Sequence, residues 1–271
     1  MNQYRPVFQN TPVVVKNLII LNVLLLLGTY ALKGTGIDLT DLLGMHYPAS
    51  EKFRLHQIIT HMFMHGGITH LFFNMFALWM FGRVLESVWG PRRFLIYYFV
   101  TGLGAVALHT FVNYLEISSM QHTIEAFANT PAPEVLDKFV NKHLSNPNPQ
   151  LIDFINSWYD APSNPTYAAQ GQQLMEQVLK YKMDIPTVGA SGAVFGILLA
   201  FGVLFPNTQL MLLFPPIPIR AKYFVIGYGA IELYLGLTQP GSNIAHFAHL
   251  GGMLFGFLLI KYWNKNSRSF Y

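Results

Sequence analysis

Six apolar stretches, each 15 to 22 residues long, are the dominant feature of this chain of 271 residues. As an α-helix, a stretch of about 20 residues crosses the roughly 30 Å hydrocarbon core of a bilayer. Backbone groups in lipid must be satisfied within the span, so the stretches predict helices. They cover residues 13–32, 69–88, 94–115, 187–205, 223–237 and 244–263. The sequence therefore predicts an all-α polytopic membrane protein with six transmembrane helices.

Composition excludes several other classes of protein. Charged residues make up 11% of the chain and hydrophobic residues 52%, whereas a soluble globular chain carries about 25% charged residues. The 17 basic and 13 acidic residues form no basic run that would track phosphates, so no nucleic-acid partner is predicted. The absence of cysteine excludes disulfides, thiolate metal sites and a cysteine nucleophile.

A long polar segment at 116–186 separates the third and fourth spans. Helix-like patches at 134–144 and 167–181 flank a predicted breaker, Ser-Asn-Pro-Asn-Pro-Gln, at 145–150. The predicted organisation is a membrane core at 1–115 with helices 1–3 and the first loop, an extramembrane helical insert at 116–186, and a membrane core at 187–271 with helices 4–6 and a short tail. The insert is interpreted as a lid or spacer.

The charge distribution predicts the orientation of the spans. Basic residues outnumber acidic ones in the short segments on the side of the two termini, and acidic residues outnumber basic ones on the other side. By the positive-inside rule, both termini are cytoplasmic, and spans two, four and six run from outside to inside. The short basic inner loops and the lack of cysteine favour a bacterial inner membrane.

Polar side chains lie near the outer ends of these three parallel spans. They are His70 and Asn74 on the second span, Ser191 on the fourth, and His246 and His249 on the sixth. Hydrogen-bonding groups inside a span are costly and are functional candidates. A histidine within reach of a serine can take its proton and make it a nucleophile. His70, Asn74 and the backbone N–H of Ser191 are candidate donors to the resulting oxyanion.

Each of these signals also has a structural explanation. A small-residue motif around a serine is common in helix packing, and histidines or Asn74 often make interhelical hydrogen bonds. The combination favours catalysis. His249 is preferred to His246 as the base because it lies deeper and shares a face with Gly252 and Gly256. No acidic residue stands beside these polar groups on the three spans to orient the base, so a dyad is predicted; Glu232, on the fifth span, is interpreted as a structural carboxyl or as a group that gates substrate entry.

Three motifs together resemble the rhomboid family of intramembrane serine proteases. They are Gly189-Ala190-Ser191-Gly192, His70-x-x-x-Asn74 and Ala248-His249-x-x-Gly252-x-x-x-Gly256. The resemblance includes the order of a six-span core with the serine on span four and the histidine on span six. It implies Ser191 as nucleophile, His249 as general base, and His70 and Asn74 at the oxyanion site. It also implies transmembrane protein substrates cut near the outer membrane face, in contact with lipid and without metal or cofactor.

The segment from His61 to Gly67 is similar to the end of the membrane-dipping loop of that family. The resemblance implies that His61 and His65 hold this loop by hydrogen bonds. A metal site at their i, i+4 spacing is the competing interpretation, but no His-Glu-x-x-His motif or nearby carboxylate accompanies them. The chain departs from the family at His56-Gln57, where an aromatic-polar pair is common, and in its long insert.

Two other classes of protein compete with the protease. A non-catalytic rhomboid-like protein would bind or escort transmembrane clients, but such proteins typically lack the serine or the base. A transporter would carry polar residues along a path through the whole bilayer, whereas these cluster near one face. The sequence favours the enzyme and fixes neither its substrate nor its oligomeric state.

Overall fold

The fold is helical with one small β-hairpin. A computed structural model of the protein describes residues 11–144, 146–211, 216–238 and 245–266. The start of the predicted 1–115 unit, Ser145 of the predicted breaker, Ile244 of the predicted sixth span and the end of the tail lie outside the described residues. The elements are α1 (Val13–Leu32), α2 (Leu39–Leu43), α3 (Gln57–Thr60), α4 (Ile68–Ala77), α5 (Arg83–Trp89), α6 (Pro91–Asn129), α7 (Pro133–His143), α8 (Pro149–Asp160), α9 (Pro165–Asp184), α10 (Ser191–Leu204), β1 (Gln209–Met211), β2 (Pro218–Arg220), α11 (Ala221–Thr238) and α12 (His246–Asn266).

Three helices in the described part of the chain are long and apolar enough to cross a membrane. They are α1, the continuous helix Ile68–Trp89 that joins α4 to α5 through a π-helical turn, and α6; the apolar helix α10 is shorter. The protein is therefore a mostly helical, multi-pass membrane protein. The first span has the bounds that the sequence predicts. The other predicted spans correspond to α10, α11 and α12, and the count of six stays a prediction.

Helix α6 is much longer than the third predicted span. Its 39 residues reach about 58 Å at 1.5 Å per residue, nearly twice the hydrocarbon thickness. The helix therefore continues through residues 116–129, which the sequence assigns to the insert. Polarity ends a membrane span but not a helix, because helical residues outside lipid need no apolar side chains.

The three helices α6, α10 and α12 pack closely through glycines. A Cβ on Gly252 of α12 would collide with the carbonyl oxygen of Gly192 on α10. Gly196 and Gly256, one turn further along their helices, instead face Thr101 and Tyr97 of α6. Helices α10 and α12 thus approach each other at Gly192 and Gly252, and Gly196 and Gly256 pack on α6.

Helix α1 is held at its first turn by a carboxylate from α5. Glu86, which is 4% exposed, accepts hydrogen bonds from the backbone N–H groups of Val14 (2.9 Å) and Val15 (2.8 Å). The residue before α1 is Pro12, whose side chain makes no capping bond. Because the first turn of a helix has unpaired N–H groups and a positive dipole end, the carboxylate stabilises it doubly.

Helices α7, α8 and α9 form a second apolar core with the C-terminal end of α6. Its buried members are Met120, Ile124, Phe127, Leu136, Phe139, Val140, Leu151, Ile155, Trp158, Met175 and Val178. One turn before Met120 on α6, Glu116 accepts from Lys182 (2.6 Å) and from His143 (3.3 Å). Burial alone would raise the pKa of Glu116, but these two hydrogen bonds outweigh burial and lower the pKa. Residues 116–186 are thus a folded helical unit; their place outside the membrane stays a prediction.

Helix α8 begins inside the segment that the sequence reads as a breaker. Asn148 caps it by accepting from the backbone N–H of Leu151 (2.8 Å), and Pro149 occupies its first turn. Asparagine followed by proline interrupts a preceding helix, but the same pair is also favourable at a helix start. The breaker prediction was wrong from residue 149 onward for this reason.

Candidate active site

Ser191 is the first residue of α10, and a short loop with a glycine in an unusual backbone conformation leads into it. Gly189 has a φ of 132°, a conformation that residues with side chains rarely adopt. Its N–H donates to the carbonyl oxygen of His61 at 2.9 Å, which ties this loop to loop 1 (33–67). The serine hydroxyl therefore has a fixed position at the N-terminal end of a buried helix.

His249 of α12 contacts this serine directly. Its Nε2 lies 2.9 Å from Ser191 Oγ. The ring of Phe195, one turn below Ser191 on α10, stacks on the imidazole with a centroid distance of 4.1 Å and an interplanar angle of 4°. The structure thus brings together the two residues that the sequence selects as nucleophile and base.

Glu232 of α11 contacts both histidines of α12. Its Oε2 lies 2.9 Å from His249 Nδ1 and 2.7 Å from His246 Nδ1, and the residue is 5% exposed. The expectation that no acidic residue orients the base does not hold in this geometry. The signal was present in the sequence, since a carboxylate inside a span needs a partner and His246 and His249 lie on one helical face. This sequence signal does not give the distance between α11 and α12, which decides whether the side chains meet.

Among the described residues, one group of side chains has ligand atoms close enough to hold a metal ion. It consists of Glu232, His246 and His249. These atoms lie within 4.8 Å of one another. Around a tetrahedral zinc ion, neighbouring nitrogen and oxygen ligands are about 3.3 Å apart. The 2.7 and 2.9 Å separations are shorter and match charge-assisted hydrogen bonds. The arrangement therefore fits hydrogen bonds between these side chains better than coordination of one metal ion.

His70 lies beside the serine. A Cβ atom placed on Gly189 would lie 3.0 Å from His70 Nε2 and 3.6 Å from Ser191 Oγ. Both side chains therefore line the same space beside Gly189. The backbone N–H of Gly66 donates to His70 Nδ1 at 3.4 Å. This bond requires an unprotonated Nδ1, which places the proton of a neutral ring on Nε2, toward the serine. His70 can therefore donate a hydrogen bond into the site.

Asn74 is buried one turn below His70, and its side-chain amide donates to the carbonyl oxygen of His70 at 3.0 Å. The contact lies within α4 rather than across to Ser191. The oxyanion role of Asn74 stays a prediction.

Loop 1 is held mainly by its own polar residues. His61 Nδ1 donates to the carbonyl oxygen of Gln57 at 2.9 Å, and its role in supporting the loop stays a prediction. His65 is different, because the contact of its ring is with the ring of His70, at a centroid distance of 5.0 Å. Burial, with His70 adding to the effect, lowers the pKa of His65 to about 4. His65 therefore packs against the side of His70 in the site.

The residue pair that departs from the family pattern has a structural role of its own. Gln57 is 1% exposed, accepts from the backbone N–H of Arg54 (3.0 Å) and donates to the carbonyl oxygen of Lys52 (3.1 Å). His56 Nε2 donates to the carbonyl oxygen of Leu42 at 2.9 Å. At the position where the family commonly has an aromatic anchor, this chain thus has hydrogen bonds within the loop.

The family assignment agrees with this geometry. The Rhomboid domain family matches residues 52–119 and 166–265, more than half of the chain, and the protein belongs to the rhomboid family. An uncharacterised mitochondrial rhomboid protein of Schizosaccharomyces pombe is 25% identical over 78% of this chain and 52% of its own length. RHOMBOID-like protein 12, a mitochondrial protein of Arabidopsis thaliana, is 29% identical over 73% of this chain and 44% of its own. The rhomboid protease GluP of Bacillus subtilis is 39% identical over 21% of this chain and 12% of its own.

These relatives also bear on activity and location. The chain spans about half or less of the length of the curated relatives it matches. The family includes a protease, GluP, so proteolysis lies within its range of activities. The names of the relatives include mitochondrial and chloroplastic proteins beside the bacterial one. They do not support the predicted bacterial inner membrane over an organelle membrane.

Proposed function

We propose that this protein is an intramembrane serine endopeptidase that cleaves transmembrane proteins near the outer face of the membrane. The observation that carries the proposal is the 2.9 Å contact between Ser191 Oγ and His249 Nε2 at the start of α10. A nucleophile and its base within hydrogen-bond reach are the minimum for acyl transfer. Two further donors, His70 Nε2–H and the backbone N–H of Ser191, are available for the oxyanion.

The mechanism follows from these positions. Ser191 Oγ attacks the scissile carbonyl carbon while its proton passes to His249 Nε2, and the carbonyl oxygen becomes an oxyanion. Collapse of this intermediate breaks the C–N bond, and His249 returns the proton to the leaving amine. Water then attacks the acyl-enzyme with His249 again as base, which releases the new carboxyl terminus and restores Ser191. The chemistry uses side chains of this chain and water.

The membrane arrangement is part of the same proposal. Six spans with both termini on the cytoplasmic side place the start of α10 near the outer face, where water and a partly unwound substrate segment meet. The helical unit at 116–186 then lies outside, between the membrane cores at 1–115 and 187–271.

The test is reaction with a serine-directed fluorophosphonate and cleavage of a single-span test substrate by the purified protein in lipid. We expect the protein to be labelled at Ser191 and to cut the substrate, and Ser191→Ala to do neither while keeping its melting temperature. An escort protein would bind the substrate without labelling or cutting. Labelling that persists in Ser191→Ala, or cleavage by that variant at the native rate, would refute the proposal.

A deletion tests the proposed independence of the insert. Removing residues 120–178 and closing the gap with a Gly-Ser linker takes out the whole second core but keeps the ion pair of Glu116 and Lys182. We expect cleavage of a short test substrate to stay within the same order of magnitude, because no proposed catalytic group is removed.

The deletion must stop before the end of α9. Asp184 there accepts from Ser50 Oγ (2.5 Å), and its carbonyl oxygen accepts from His46 Nδ1 (2.9 Å). Met45 and Thr187 exchange backbone hydrogen bonds beside them. A matched deletion extended to residue 187 should therefore lose activity by releasing loop 1. Equal loss in both deletions would contradict the separation of insert and site.

A further inference from the structure

We propose that Glu232 is a positioning residue for the base, so that the site works as a chain of Ser191, His249 and Glu232 with His246 as a second partner of the carboxylate. The inference rests on the proposed function and deepens it. It departs from the predicted dyad, and the observation behind it is a single buried carboxylate oxygen that contacts the Nδ1 atoms of both histidines.

The first step of the argument concerns the tautomer of His249. An ionised carboxylate oxygen can only accept hydrogen bonds, so the Nδ1 atoms 2.7 and 2.9 Å away must both carry protons. In a neutral imidazole with a proton on Nδ1, Nε2 holds a lone pair. For His249 that lone pair faces Ser191 Oγ at 2.9 Å. The carboxylate thus selects the one neutral form of His249 that can accept the serine proton.

The second step concerns orientation. Glu232 fixes one edge of the imidazole, and the stacked ring of Phe195 fixes one face. Phe195 is in turn backed by Tyr228, whose ring centroid is 4.8 Å away and which lies one turn before Glu232 on α11. Helix α11 therefore supports the base both through its carboxylate and through an aromatic contact with α10.

The third step concerns charge. When His249 takes the serine proton, it becomes a cation in a buried place. Glu232 is 5% exposed and lies against it, so the cation forms beside a fixed negative charge in an environment of low dielectric. His246 contributes a second hydrogen bond to the same oxygen, which holds the carboxylate in place. A carboxylate so placed favours the transition state more than the ground state.

The experiment uses Glu232→Gln, which keeps the size of the side chain and removes its charge. The amide can turn its NH₂ group toward Nδ1, which would shift the proton of His249 to Nε2 and remove the base. A buried carboxylate replaced by its amide in a comparable arrangement lowers kcat by about 10⁴ through the wrong tautomer. We expect kcat to fall on the order of 10²- to 10⁴-fold with KM changed less than about threefold. His246→Ala, which leaves the bond to His249 intact, should lose about tenfold, one charged hydrogen bond.

Glu86→Gln is the matched control. Glu86 is an equally buried carboxylate in a membrane helix, 4% exposed, but it caps α1 and contacts neither histidine. This variant should lower the melting temperature and leave kcat per folded molecule unchanged. A similar loss of kcat in both glutamine variants would mean that Glu232 acts through stability alone.

A readout without substrate separates this inference from the proposed function. In protein labelled with ¹⁵N-histidine, the ring nitrogen shifts of His249, assigned through His249→Ala, report which nitrogen holds the proton. We expect the Nδ1–H form in the native protein and a shift toward the Nε2–H form in Glu232→Gln. An Nε2–H form in the native protein, or native kcat in Glu232→Gln, would overturn the inference. An inactive native protein with the Nδ1–H form would overturn the proposed protease function and leave the positioning contact supported.

Discussion

Replacing His249 with alanine is expected to abolish cleavage, whereas His246→Ala should retain measurable activity. His249 Nε2 lies 2.9 Å from the serine hydroxyl, and His246 instead contacts Glu232 at 2.7 Å. Without a base, Ser191 stays a neutral alcohol. Removing one member of a nucleophile-base pair costs on the order of 10⁴- to 10⁶-fold in kcat. Cleavage of a single-span substrate in lipid vesicles, with Ser191→Ala as the reference for no activity, measures the loss.

The two histidine variants control for each other, because both remove a buried imidazole from the same turn of α12. Melting temperatures of the two variants should be similar, since each leaves Glu232 with one remaining imidazole partner. The reverse pattern in folded protein, with His246→Ala inactive and His249→Ala active, would refute both the assignment of the base and the geometry behind it.

The sequence predicted the main helices and the residues that meet at the site because both leave a local pattern. A span must be apolar over its whole length, and Ser191, His249 and Gly252 each belong to a short motif. The features that it missed depend on relations between distant segments. The contact of Glu232 with His249 requires the distance between two helices, which no periodicity contains.

Two helices have bounds that differ from the prediction, and for a similar reason. Helix α6 continues to Asn129 because its last turns pack against α7, α8 and α9, a tertiary contact that supports helix where apolar periodicity fades. Helix α8 begins at Pro149 because its asparagine cap turns a breaker into a start. Polarity can mark the end of a membrane span or the exposed face of a continuing helix, and proline can end one helix or begin the next. Packing decides which of these structures forms.

Gly252 is the point at which helix packing and chemistry are most closely connected, and Gly252→Ala should be severely damaging. The Cβ of alanine would overlap the carbonyl oxygen of Gly192, which is backbone and cannot rotate away. Relief requires α10 and α12 to separate, and these helices carry Ser191 and His249. Overpacking in a well-packed interior costs about 1–3 kcal/mol, and a misplacement of 1 Å can reduce a rate about 10²-fold. We expect a lower melting temperature and a loss of cleavage of at least that size.

The matched control is Gly227→Ala on α11, where an added Cβ would have no heavy atom of its surroundings within 4 Å. Both substitutions replace a glycine inside an α-helix with alanine, which is intrinsically a better helix former than glycine by about 1 kcal/mol. Any loss specific to Gly252→Ala is therefore due to the contact with Gly192 and not to the helix itself. Thermal unfolding and substrate cleavage of the two variants should diverge, with Gly227→Ala native in both. A fully active Gly252→Ala would show that α10 and α12 can separate without breaking the hydrogen bond between Ser191 and His249, contrary to the packing described above.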